Sequence, residues 1–126
     1  MIQRALRAGV AGALLVVTAA CATAAVVPFN EPRELAGAWR GRMTVRSGSA
    51  AASFAIKEDG SFAGTMYFDG EDRDFSGAIT VIHPGHARYR SSQGFGSLVL
   101  EEQGGARTLR FQPDGGGVVS VFQPAQ

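Results

Sequence analysis

From Ala38 to the C-terminal end, the chain consists of short runs in which apolar and polar residues alternate, each closed by a cluster of Gly, Asp or Pro. Period-two alternation puts one apolar face on an extended strand, and the punctuation is that of hairpin turns. The runs are Trp39–Arg46, Ala51–Lys57, Phe62–Phe68, Asp74–Ile82, Ala87–Ser91, Phe95–Glu102, Ala106–Gln112 and Val118–Gln123. Eight strands with no helical segment between them, joined by short connections, predict an antiparallel up-and-down arrangement. An eight-stranded sheet with one apolar face must close as a small barrel or fold over as a β-sandwich. Closure removes the exposed edges, and Gly41, Gly64 and Gly77 inside strands suit the bends of a small barrel. The expected fold is therefore an all-β, eight-stranded antiparallel up-and-down barrel, with the sandwich as the alternative.

Alternation also names the core. Trp39, Met43, Val45, Phe54, Ile56, Phe62, Met66, Phe68, Phe75, Ile79, Val81, Tyr89, Leu98, Leu100, Leu109 and Phe111 fall on the inward face, with a Val or Phe from the last strand. Eight strands leave room either for packed side chains or for one small ligand. Strands this short, with so many aromatic rings turned inward, predict a packed, dry interior.

The first residues read differently. Arg4 and Arg7 precede thirteen uncharged residues, Ala8–Ala20, centred on Val10-Ala11-Gly12-Ala13-Leu14-Leu15-Val16-Val17. That run is too short to cross a bilayer, which takes about 20 residues, and has the length of the apolar region of an export signal. The expected division is a signal peptide at 1–20, forming an N-terminal helix, a tether and lead-in at 21–37, and a β-barrel domain at 38–126. Within the lead-in, Pro28 and Pro32 interrupt any regular period, and Pro32–Ala36 has the makings of one helical turn ended by Gly37.

Thr18-Ala19-Ala20-Cys21 resembles the lipobox of bacterial lipoproteins, although Thr18 stands where Leu is usual. The resemblance implies cleavage before Cys21, lipidation of that residue and a membrane anchor. Ala22 after the Cys implies retention at the periplasmic side of the outer membrane. Ordinary cleavage is the other reading, since Ala20-Cys21-Ala22 and Ala22-Thr23-Ala24 both fit the small-residue pattern, and the product would then be periplasmic or secreted. A single Cys can form no intrachain disulfide, and an unpaired thiol is unusual in an oxidising compartment; acylation removes that difficulty. Once Arg4 and Arg7 leave with the signal, ten basic groups face eleven acidic ones. A net charge of −1, with no basic block, gives no electrostatic reason to bind nucleic acid.

Leu35-Ala36-Gly37-Ala38-Trp39-Arg40-Gly41 resembles the Gly-x-Trp opening of calycin-type barrels, the lipocalin group and its relatives. It is also similar to the opening of small bacterial metalloprotease inhibitors and the outer-membrane lipoproteins related to them. The resemblance implies a calycin-like barrel with the Trp closing one end. It departs from the inhibitors in lacking a disulfide and from lipocalins in its shorter strands.

Candidate chemistry is sparse. His83 and His86 flank Pro84-Gly85 and could share a metal, but zinc takes three or four ligands and no further ligand is fixed nearby in sequence. Asp69, Glu71, Asp72 and Asp74 form an acidic hairpin tip without the spacing of a calcium loop. Arg40, Arg42 and Arg46 share one strand face and Arg88 and Arg90 another; if the faces met, they could grip an anion. Ser47 lies in a plain turn, not in a nucleophile elbow. The expectation is a non-enzymatic domain with no cofactor and no metal site, acting as a structural or binding module toward an envelope protein or polymer. Two alternatives are an exported protease inhibitor that uses residues 22–34 as an extended inhibitory segment and a carrier of a small apolar ligand in the barrel.

Overall fold

The computed structural model describes residues 24–45 and 48–125. Its strands are β1 (Ala25–Val26), β2 (Gly37–Val45), β3 (Gly48–Ile56), β4 (Ser61–Phe68), β5 (Glu71–His83), β6 (His86–Ser91), β7 (Gly94–Gln103), β8 (Ala106–Pro113) and β9 (Ser120–Pro124), with a single 3₁₀ turn at Pro32–Leu35. The expected signal helix, the Cys21 anchor point, Arg46 and Ser47 lie outside the described residues.

Every strand from β2 to β9 pairs antiparallel with the next, and β9 returns to β2 through Trp39↔Pro124, Arg40↔Gln123, Gly41↔Phe122 and Arg42↔Val121. The sheet is therefore a closed eight-stranded up-and-down barrel, not a sandwich. The strand ends divide it into a lower end, carrying Gly37, Ile56 and Ser61, and an upper end, carrying Val45, Phe68 and Glu71. Two glycines show how tightly the wall is drawn. A Cβ on Gly41 would collide with the carbonyl of Val121 across the seam, and one on Gly64 with the carbonyl of Ser53. Only glycine lets the backbones approach this closely.

The interior follows the alternation. Phe54 is the hub, with ring centroids 5.5 Å from Phe62, 5.9 Å from Phe75, 5.9 Å from Phe111 and 4.8 Å from Phe122. Most of these contacts are edge-to-face, the arrangement favoured by the ring quadrupole. Trp39, Ile56, Met66, Ile79, Tyr89, Leu98, Leu100 and Leu109 belong to the same buried cluster, and Met43, Phe68 and Val81 pack against it partly buried. In β9 Phe122 turns inward, whereas Val118, expected at the start of the last strand, lies before β9 and is exposed. Val45, which alternation also places inward, has its side chain outside the described set.

The lead-in is where the structure adds most. Residues 25–26 form β1 and pair with Glu101 and Glu102 of β7, in the lane that β6 leaves open beyond Leu98. The Val27 amide then donates to the Leu100 carbonyl at 2.8 Å. Phe29 and Leu35 are buried in the barrel core, and the Trp39 indole N–H donates to the Leu35 carbonyl at 2.9 Å. The segment expected as a tether is thus, from Ala25 on, the plug of the lower end. It is held locally by Glu34, whose carboxylate accepts from the amides of Asn30 at 2.7 Å and Glu31 at 2.9 Å. Those bonds favour the charged form and lower the Glu34 pKa.

The β4–β5 turn is tighter than the sequence suggests. Asp69 and Gly70, at φ +56° and +80°, form a two-residue hairpin connection, so β5 starts at Glu71. Two positive φ values in succession match the strand twist, and Asp-Gly is a preferred pair for them.

Candidate functional site

Closing the barrel separates several groups that the sequence places side by side. Arg40 and Arg42 lie on the outer face of β2, and Arg88 and Arg90 on that of β6, four strands away around an eight-stranded ring. The two faces are opposite walls and form no joint anion site. Arg42 donates to Ser49 Oγ from Nε at 3.3 Å and Nη2 at 3.1 Å. Together with Arg40 it borders a shallow groove whose floor is Ala51 and Ser53 and whose far side is Thr65, Tyr67 and Asp72.

The acidic tip is dispersed for a related reason. Because β5 begins at Glu71, successive residues point to opposite faces of the strand. Asp72 and Asp74 stand opposite Tyr67 and Thr65, whereas Glu71 and Arg73 stand opposite Phe68 and Met66. Arg73 lies 6.0 Å from the Phe68 ring centroid and 3.7 Å from Glu71. The carboxylates do not converge on one point.

His83 and His86 do come together. A bulge between Val81 and His83 brings their rings to 4.2 Å, tilted by 44°, at an exposed turn of the lower end. Among the described residues no third His, Cys, Asp or Glu joins them in a group able to hold a metal ion.

Arg88 is committed elsewhere. Its guanidinium makes a two-pronged contact with the Asp114 carboxylate and donates to Ser97 Oγ at 3.1 Å, tying β6 to the β8–β9 loop. The hydrogen bond from Arg88 holds Asp114 below the ordinary aspartate range and raises the Arg88 pKa. A depressed folded-state pKa contributes stability above the unfolded-state value and loses it as pH falls through the folded value. An NMR titration is expected to place the Asp114 midpoint below that of a free aspartate. In Arg88→Ala the midpoint should return toward it, with correspondingly less loss of stability in acid.

The sequence gives little hint of the barrel's upper mouth, because its residues come from all eight barrel strands and the β6–β7 turn. Met43, Thr44, Tyr89, Pro113 and Ser120 surround a cavity of about 70 Å³, floored by Phe54, Phe75, Phe111 and Phe122. Tyr89 is 8% exposed, with its ring 4.8 Å from that of Phe111, and burial raises its pKa. The wall outside carries two exposed apolar side chains, Ile82 (60%) and Phe95 (58%), in a groove with Arg88 and Arg90. No helix among the described residues is long and apolar enough to cross a membrane. In comparisons with family models, curated proteins and solved structures, nothing matches this chain.

Proposed function

We propose that this is an exported cell-envelope lipoprotein, anchored through lipid at Cys21, whose barrel is a non-catalytic structural or binding module on the periplasmic side of the outer membrane. The observation that carries the reading is the filled interior. A phenylalanine cluster occupies the middle of the barrel and the lead-in plugs its lower end, so the outer wall and the upper mouth are left for contact. The export and anchoring half rests on the charged start, the apolar run and the lipobox resemblance.

Anchoring also gives the domain a direction. Two residues, Ala22 and Thr23, separate Cys21 from Ala24, a reach of about 11 Å when fully extended. This reading puts the lower end next to the membrane. Tyr67, Phe95 and Val118, exposed toward the upper end, then face a partner protein or envelope polymer.

The two alternatives fit less well. Protease inhibition through residues 22–34 requires stripping β1 from β7 and withdrawing Phe29 from the core. A carrier of a lipid-sized ligand needs a pocket of roughly 300 Å³ or more, and the mouth offers about 70 Å³.

Labelling cells that express the full chain with a radioactive fatty acid tests the anchor. The wild-type chain is expected to take up label and Cys21→Ser to take up none. An unlabelled wild type, or label that survives the substitution, contradicts the reading.

A further inference from the structure

The β5–β6 hairpin turns at the lower end through His83-Pro84-Gly85-His86, and its two histidines are direct cross-strand partners. Alternation alone would separate them. Along β5 it carries Phe75, Ile79 and Val81 inward, and His83 with them; along β6 it puts Ala87 inward and His86 outward. Ile82 breaks the period. The register passes from Val81↔Ala87 to His83↔His86 and leaves Ile82 without a partner on β6. Such a bulge re-aims the side chain beside it. His83 thereby joins His86 on the outside, where both are exposed and their rings lie 4.2 Å apart.

The turn fixes this arrangement. Pro84 sets its own φ and Gly85 takes +82°, the Pro-Gly order that a type II turn prefers, and the glycine faces Pro28 of the lead-in. No hydrogen bond or ion pair engages either imidazole among the described residues. Arg88, two residues along the same face of β6, has its charge paired with Asp114. An ion bonded to each ring at about 2.0–2.1 Å requires two nitrogens within roughly 4 Å of each other, which rings at this separation permit.

We infer that His83 and His86 form a two-imidazole site for a divalent transition-metal ion, with copper(II) the best fit. Imidazole nitrogen suits copper, nickel and zinc rather than magnesium or calcium, and copper heads the affinity order for such donors. A closed zinc site takes four ligands, and no third joins the pair among the described residues. Tetragonal copper accepts two nitrogens and fills its other positions with water, for which the adjoining groove of about 290 Å³, lined by Ile82, Ser97 and Val99, leaves room. The ion is therefore exchangeable, and the fold does not depend on it, because the core is complete without it. The inference goes beyond the binding-module reading and is independent of the anchor.

The test is a copper(II) titration of the full chain carrying Cys21→Ser, which removes the one thiol, followed by NMR. The Gly85 and Ala87 amides are expected to broaden saturably. His83→Ala and His86→Ala should each weaken binding at this turn at least 10-fold, because the second imidazole of a chelate binds intramolecularly. Both side chains are exposed, so both variants should fold, and the melting midpoint checks it. Zinc(II) should displace the copper only in excess, and magnesium not at all. This metal order is read on the unsubstituted turn and stands apart from any effect of the substitutions on folding. Broadening that only grows linearly with copper, or undiminished affinity in either variant, would mean an adventitious ion only and overturn the inference, as would displacement by magnesium. None of these outcomes bears on the anchor, which the Cys21 labelling decides separately.

Discussion

Phe54→Ala is expected to destabilise the barrel by about 3–5 kcal/mol, the cost of truncating a buried aromatic and leaving the cavity. The residue is 5% exposed and its ring meets four others, from β4, β5, β8 and β9, so its removal strips an edge contact from each. Such pairs add about 0.5–1.5 kcal/mol each beyond area burial, which places the effect toward the upper end of the range. For a domain of this size one kcal/mol moves the melting temperature by about 4–8 °C, so a fall of at least 12 °C is expected. Thermal melting followed by circular dichroism reads it directly. Phe95→Ala serves as the control: that ring is exposed on the outer wall, and its loss should move the midpoint by no more than a few degrees.

Leu35→Ala should cost about 2–5 kcal/mol, although the residue precedes the first barrel strand. Its side chain is 0% exposed, and its carbonyl accepts the indole N–H of Trp39 at the lower end. Trimming the side chain opens a void under the plug and loosens the backbone that satisfies the indole. A free tether predicts the opposite, a melting curve identical to that of the unsubstituted chain. Urea denaturation distinguishes the two, since a plug that forms part of the core shifts the midpoint without splitting the transition.

The barrel was legible in the sequence because its signal is local. A strand writes its burial as a period of two, and Phe54, Ile56, Phe62, Phe75, Leu98, Leu109 and Phe111 all fall where that period puts them. Turn residues marked the ends, with Asp69-Gly70 misjudged only in length: an acidic stretch that reads as a loop proves to be the start of β5. The lead-in was illegible because Phe29 and Leu35 obey no period. They are single apolar residues among prolines and acids, and only the shape of the barrel's open end makes them core.

The same distinction governs the candidate sites. His83 and His86 are neighbours in sequence and in space. The arginine pairs are adjacent within each strand, but closure puts them on opposite walls, a fact of ring geometry that a linear reading does not contain. The mouth is the converse case, with Met43, Tyr89 and Ser120 far apart along the chain and gathered only by the register of the strands. Its one sequence trace is a polar residue, Ser120, at an inward position of β9.

The most direct measurement is the set of nuclear Overhauser contacts across the β2–β9 seam. A ring that closes on itself puts the backbones of Gly41 and Phe122 side by side, and those of Arg40 and Gln123. Cross-strand proton contacts at these pairs, with slow amide exchange along both strands, are the expected result. Sequential hairpin contacts throughout, but none between β2 and β9, would mean an open or sandwiched sheet, and the plugged barrel with its single mouth would be wrong.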